Sequence, residues 1–140
     1  MLIEENKAVV RRYAEQVWNA GDLTAVEEFI APAYIRHDPG LPMEVRGPDG
    51  VRAVISAYRT AFPDLHLILD DTLADGDKVV LRLTVRGTHQ GDLMGIPPSG
   101  HAVAITAIEI FRLDGGKIVE QWVAVDNLGL LRQIGALATA

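Results

Sequence analysis

Cysteine is absent from the 140-residue sequence. Disulfides, thiolate metal ligands and cysteine nucleophiles are therefore excluded. Basic residues are outnumbered by acidic ones, with a net charge of −6 and a pI near 5.1, so no surface for nucleic acid or anionic lipid is predicted. No stretch approaches the roughly 20 apolar residues that cross a bilayer, and the charged N-terminal segment does not read as a signal peptide. By default, the sequence indicates a cytoplasmic protein with neither nucleic-acid nor membrane partners.

Motifs for metal, nucleotide and serine chemistry are also missing. The four histidines form neither His-x-His nor His-Glu-x-x-His spacing, so no metal site is predicted. Ser56 and Ser99 lack the Gly-x-Ser-x-Gly context of a serine hydrolase. No glycine-rich loop follows a strand and opens a helix, which argues against a nucleotide site.

What is present is a change of hydrophobic period along the chain. Apolar residues recur at helical spacing before Pro63 and at strand spacing after it. The predicted helices are Ile3–Ala20, Leu23–Ile30, Asp49–Phe62 and a short terminal Asn127–Ile134. The proline- and glycine-containing stretch Pro39–Gly50 is predicted to be a loop up to Pro48, a residue suited to a first helical turn. The predicted strands are Leu65–Leu73, Lys78–His89, His101–Leu113 and Lys117–Asp126. Most of their connections are short turns, so antiparallel pairing and one α+β domain over residues 1–140 are expected.

The strand His101–Leu113 is apolar on both faces. One face must meet the helices, and little chain remains to cover the other. The hydrophobic content of 49% points the same way. We therefore predict a homodimer that pairs through the sheet face.

Glu109 interrupts this apolar strand. A carboxylate there is costly unless it is paired, and an unpaired one would have the raised pKa of a general acid or base. The alternative is an ion pair with Arg82 or Arg86 on the neighbouring strand. Alternate residues share a face, so Glu109 reaches a pocket if the face of Ile105 and Ala107 is the pocket side.

Other side chains have weaker cases. His37, where an apolar segment meets the proline-rich loop, and His89, before Gln90-Gly91, are either hydrogen-bonding residues or part of a cavity rim. The aromatic residues are either cavity lining or plain core; they are Trp18, Tyr34, Phe62 and Trp122.

Several segments in order give the chain a family resemblance. They are Val17-Trp18-Asn19-Ala20-Gly21-Asp22, Tyr34-Ile35-Arg36-His37-Asp38-Pro39, Arg46-Gly47-Pro48-Asp49-Gly50, Ala61-Phe62-Pro63-Asp64-Leu65, Gly87-Thr88-His89-Gln90-Gly91 with Gly95-Ile96-Pro97-Pro98-Ser99-Gly100, and Gly116-Lys117-Ile118-Val119-Glu120-Gln121-Trp122. Together they resemble the SnoaL-like polyketide cyclases, a branch of the nuclear-transport-factor-like, cystatin-like α+β cone fold. The resemblance implies helices packed on a curved, mostly antiparallel sheet that forms a cone around an internal hydrophobic pocket.

The resemblance also implies a reaction. Characterised cyclases of this family close a ring by intramolecular aldol condensation of an ester, without metal or organic cofactor. Their base is an Asp that commonly follows His-Trp on the last strand, where this chain has Gln121, Trp122 and Val123. Since Val123 cannot transfer a proton, Glu109, His37 and Asp126 are the candidate replacements, although Asp126 is better explained as a helix N-cap.

We therefore predict a cofactor-free enzyme, of isomerase or lyase type, acting on a small hydrophobic carbonyl or ester compound. Aldol-type cyclisation, isomerisation and hydration all fit. Glu109 is the expected base and His37 the group that polarises or protonates the enolate oxygen. The predicted substrate-binding residues are Trp18, Tyr34, Phe62, His89, Gln121 and Val123. The alternative is a non-catalytic member that binds a small molecule and has lost the acid/base Asp.

Overall fold

The N-terminal helix changes its winding partway along. In the computed structural model, which describes residues 2–137, α1 spans Leu2–Tyr13 and continues as a π-helical turn over Ala14–Asn19. Val10, Tyr13 and Val17 are buried on one face, as the periodicity predicted. Gly21, at φ +72°, takes the left-handed conformation that commonly ends a helix.

The second predicted helix, Leu23–Ile30, is shorter than expected. Asp22 caps a 3₁₀ turn at Leu23–Ala25, and α2 then covers only Val26–Phe29. The chain continues directly into β1 at Ile30–His37, a strand that was not predicted. This strand determines which of its side chains face the interior and therefore which of them reach the site.

The proline-rich segment leads into the third helix. A two-residue strand, β2, at Val45–Arg46 precedes α3 at Gly47–Ala61, and Pro48 lies in its first turn as predicted. Pro48 fits there because the first-turn N–H groups have no intrahelical acceptor.

Four longer strands confirm the change to period 2, each within a few residues of its predicted bounds. They are β3 at His66–Asp75, β4 at Lys78–Thr88, β5 at Ala102–Asp114 and β6 at Lys117–Val125. With β1 and β2 they form one open sheet in the order β2-β1-β6-β5-β4-β3. All neighbours pair antiparallel except β1 with β6, which are parallel. The fold is therefore α+β with a mixed, mostly antiparallel sheet.

Side-chain amides pair with strand backbone at two places in the sheet. At the outer strand β3, Asn19 accepts from the Leu67 N–H at 2.7 Å and donates to the Leu67 carbonyl at 3.0 Å. Beyond the end of β6, Gln133 does the same for Ala104 on β5, at 2.7 and 3.0 Å. Each amide supplies the two hydrogen bonds that a neighbouring strand residue would make.

Gln133 belongs to the terminal helix α4, Asn127–Gln133. The Asp126 side chain accepts from the Gly129 N–H at 2.9 Å, which confirms Asp126 as a helix N-cap. Along the described chain, no helix is long and apolar enough to cross a membrane.

The two faces of the sheet differ in burial. Side chains on the inner face pack against α1, α2 and α3 and form the core. On the outer face of β5, Ala102, Ala104 and Thr106 are exposed, and Ile108 keeps 51% of its surface. The catalytic candidates are therefore separated into two sets according to the face that each side chain occupies.

Candidate functional site

The inner face of the sheet and the helices form a pocket that is partly open to solvent. Its walls are almost wholly apolar, with charged groups only at Arg36 and Glu109. The remaining lining residues are Trp18, Tyr58, Phe62, Leu65, Leu67, Leu83, Val85, Val103, Ile105, Ala107, Val125 and Leu130. Such a pocket suits a hydrophobic small molecule that presents polar atoms at one end.

Glu109 extends into this pocket from β5. It keeps intermediate solvent exposure because its side chain lines the cavity. Burial raises the pKa of Glu109, and this outweighs the lowering effects of the Arg36 guanidinium and of the hydrogen bond from Gln121. A carboxylate with a raised pKa is a stronger base than an ordinary one, as proton removal from a bound molecule requires.

The alternative explanation for Glu109, an ion pair with Arg82 or Arg86, is wrong. Both arginines occupy alternate positions of β4 that point to the outer face, opposite to the pocket. Arg82 instead pairs with Asp71, with 2.7 Å between Nε and the carboxylate. The nearby positive charge comes from Arg36 on β1.

Arg36 was not a predicted site residue. Its side chain is 6% exposed and pairs with the 4% exposed side chain of Asp38, at 3.1 Å between Nη2 and Oδ2. Burial alone would lower the Arg36 pKa, but Glu109, Tyr34 and Asp38 hold it above its usual range. The Gly40 N–H donates to the other Asp38 oxygen at 3.0 Å, so Asp38 is itself fixed. Arg36 is thus a permanently charged donor held at the pocket wall.

Tyr34 and Gln121 lie beneath Glu109. The Tyr34 hydroxyl donates to Gln121 Oε1 at 2.6 Å, and Gln121 Nε2 donates to Glu109 Oε1 at 2.5 Å. Tyr34 and Gln121 are 0% and 1% exposed and are absent from the pocket wall. Both were predicted to bind substrate, whereas in the structure Gln121 contacts the Glu109 carboxyl group and Tyr34 contacts Gln121.

His37 lies on the other face of the sheet, so the predicted pair of Glu109 with His37 is not formed. Its Nε2 is 2.8 Å from Glu120, and its ring stacks on Trp122 with centroids 5.5 Å apart. In the parallel register His37 is opposite Trp122 and Arg36 is opposite Gln121. Because β1 is a strand, Tyr34 and Arg36 point inward and His37 must point outward.

The other predicted binding residues divide in the same way. Trp18 and Phe62 line the pocket. His89 is fully buried beside Phe62 and accepts from the Ser99 N–H at 3.2 Å, and it does not line the pocket. Among the described residues, its Nε2 has no hydrogen-bond partner.

Val123 is 5% exposed and lies directly opposite Glu109 on β6. It is buried on the pocket side of the sheet without reaching the pocket wall. The carboxyl group of Glu109 is thus one strand away from the place where the resemblance puts the family's Asp.

Glu109 and the permanently charged Arg36 therefore line the same apolar pocket and interact electrostatically. This arrangement is able to remove a proton from a bound molecule and to stabilise the negative charge that develops on its oxygen. Over residues 2–137, no cluster of three or more His, Asp or Glu side chains is placed to hold a metal ion.

Comparison with known proteins gives consistent matches over nearly the full length. The sequence profile of the SnoaL-like polyketide cyclases matches residues 8–134. The aklanonic acid methyl ester cyclase DnrD of Streptomyces peucetius is 32% identical over 133 residues, covering 91% of this chain and 88% of that protein. The structure of TsrD from Streptomyces laurentii is 34% identical with a TM-score of 0.85, covering 96% and 97% of the two chains. A protein from Jannaschia sp. CCS1, at 24% identity and a TM-score of 0.89, covers 98% of this chain and 96% of its own and shares the fold.

Proposed function

Since this chain belongs to the SnoaL-like polyketide cyclase family, we propose that it is a cofactor-free enzyme that closes a ring by aldol chemistry on a hydrophobic carbonyl or ester compound. One observation carries the proposal, namely the Glu109 carboxyl group in an apolar pocket where burial raises its pKa. Glu109 supplies the proton acceptor that Val123 cannot provide.

Glu109 begins the proposed reaction by removing a proton from the carbon next to a substrate carbonyl. The electron pair of the broken C–H bond forms an enolate, and Arg36 stabilises the charge on the enolate oxygen. The enolate carbon then attacks a second carbonyl carbon of the same molecule and forms a C–C bond. The alkoxide produced takes the proton back from Glu109 and becomes a hydroxyl, so the product has the mass of the substrate.

The acidity of Glu109 sets the pH dependence of this reaction. The base must be ionised to accept a proton, so kcat/KM should rise as the pH passes upward through the raised Glu109 pKa. Arg36 stays charged throughout, because its surroundings hold its pKa above the usual range of an arginine.

Aklanonic acid methyl ester, which the DnrD name identifies as a cyclase substrate, is a suitable probe. Ring closure would give a product of unchanged mass and altered retention in liquid chromatography with mass spectrometry. Glu109→Gln should lower kcat/KM by about 100-fold or more, the usual contribution of a general base. His37→Asn is the matched control, because His37 lies on the outer face and the variant should keep the wild-type rate.

Isotope exchange separates proton removal from ring closure. In heavy water, a working base exchanges the proton next to the carbonyl even when ring closure is slow. A product heavier by one water would indicate hydration, whereas isomerisation without a new ring would also leave the mass unchanged. Full activity in Glu109→Gln would refute the assignment of the base.

A non-catalytic binding protein is the second candidate. The buried Val123, where the family's cyclases carry their acid/base Asp, favours it. Binding of the ester with neither turnover nor deuterium exchange would support this candidate over the enzyme.

A further inference from the structure

Two buried side chains, Tyr34 and Gln121, form a hydrogen-bonded series that ends at Glu109. The positive charge of Arg36 lowers the pKa of the Tyr34 hydroxyl, against the larger raising effect of burial. Tyr34 donates to Gln121, and Gln121 donates to Glu109. Every group in this series is buried except for the part of Glu109 that lines the pocket.

The direction of the series follows from which groups can donate. The Tyr34 hydroxyl donates its proton to the Gln121 oxygen. An amide has one oxygen and one NH₂ group. Because the Gln121 oxygen is occupied by Tyr34 at 2.6 Å, the NH₂ group must face Glu109.

This direction distinguishes the two oxygens of Glu109. Oε1 receives a donor from Gln121 and acts as an acceptor whether or not Glu109 is ionised. Within residues 2–137, no hydrogen bond reaches Oε2. A proton on Glu109 therefore resides on Oε2.

We propose that Tyr34 and Gln121 are positioning residues that fix Glu109 so that Oε2 is the oxygen that exchanges a proton with the substrate. The proposal rests on the function proposed above and adds which atom reacts and what holds it. Neither residue touches the substrate in this scheme, since neither lines the pocket.

Titration of the Glu109 carboxyl carbon by NMR, in protein labelled with carbon-13 at glutamate, tests the proposal without any substrate. Glu109→Gln identifies the resonance. Gln121→Met removes the donor, and the titration midpoint should rise by about one pH unit, the scale of one hydrogen bond to a charged group. Tyr34→Phe should raise it in the same direction, because the released amide can turn its oxygen toward a protonated Glu109.

Tyr13→Phe is the matched control. Tyr13 is also a buried tyrosine near Glu109, but its hydroxyl accepts from Trp18 Nε1 at 3.2 Å and lies outside the series. It should leave the Glu109 midpoint at the wild-type value. A purely structural role would instead make the two Tyr→Phe variants equivalent.

The outcomes separate the two proposals. An unchanged midpoint in Tyr34→Phe, or equal shifts in Tyr34→Phe and Tyr13→Phe, would overturn the positioning role. If Gln121→Met fails to fold, the two tyrosine variants alone decide. If the midpoints shift as expected while no protein converts aklanonic acid methyl ester or exchanges its proton, the proposed function fails and the fixed geometry of Glu109 stands. With turnover, the pH profile of kcat/KM should move with the midpoint.

Discussion

The Glu109→Gln variant should be more stable than the wild type, by a margin that grows as the pH rises. Glu109 has a folded-state pKa above its ordinary value of 4.5, and burial is the largest cause. Below pH 4.5 the carboxyl is protonated in both the folded and the unfolded chain, so the variant should differ little from the wild type. Above it, the unfolded chain ionises first, and the wild type loses stability until the pH passes the folded-state pKa.

The magnitude follows from the linkage between proton binding and folding. Each pH unit between the two pKa values removes about 1.36 kcal/mol from the wild type. Glu109→Gln carries no such loss, so the difference in unfolding free energy should grow with pH and then level off. The pH at which it levels off measures the folded-state pKa of Glu109. The contributions of the other titrating groups to this difference largely cancel, because both proteins contain those groups.

Urea unfolding between pH 4 and 9, followed by tryptophan fluorescence, measures this difference. Glu120→Gln is the matched control, because the hydrogen bond with His37 and the contacts with Arg112 lower the Glu120 pKa. A lowered pKa stabilises the fold above the ordinary value, so this variant should lose stability where Glu109→Gln gains it. A Glu109→Gln difference that is flat with pH, or that falls as pH rises, would show that Glu109 is not a high-pKa group and would refute the base assignment.

Three further changes test the pocket, the last helix and the outer face. Ala107→Leu adds bulk to the pocket wall and should weaken binding of aklanonic acid methyl ester by about 10-fold or more in calorimetry; unaltered affinity would contradict the pocket assignment. Asp126→Ala removes the N-cap of α4 and should cost about 1 kcal/mol in urea unfolding, with Asp126→Asn costing less; equal losses would argue against the cap. We also propose a dimer of two copies through the outer sheet face, where Ile108 is half-exposed. Light scattering should then give a dimer for the wild type and a monomer for Ile108→Asp, and a monomeric wild type would disprove it.

The later strands could be predicted because their signal is local. In β4 and β5 buried and exposed residues alternate through most of each strand, and glycine-containing turns such as Asp114-Gly115-Gly116 mark some of the ends. Alternation along β5 also predicted that Glu109 shares a face with Ile105 and Ala107, although it left open whether that face is the pocket side. These features require no knowledge of distant parts of the chain.

The first strand could not be predicted in this way. β1 pairs in parallel with β6, which lies some 85 residues away, and its pattern of burial is irregular where the register shifts between Ile30 and Ile35. Without β1 the face of each residue from Tyr34 to His37 was undetermined. His37 was therefore assigned to the pocket, and Arg36, its immediate neighbour, was overlooked. Tyr34 and Arg36 alternate with Ile35 and His37, and this period of two was the one sequence signal that would have corrected the assignment of His37 to the pocket.

The amides of Asn19 and Gln133 have a consequence for how molecules of this protein meet one another. An unpaired strand edge offers a row of N–H and C=O groups to which another chain can add as a further strand. Asn19 occupies both groups of Leu67 on the outer strand β3, and Gln133 occupies both groups of Ala104 on β5. An incoming strand would have to displace an amide at either position. The protein thus keeps two stretches of its sheet closed to edge-to-edge aggregation while its pocket stays open.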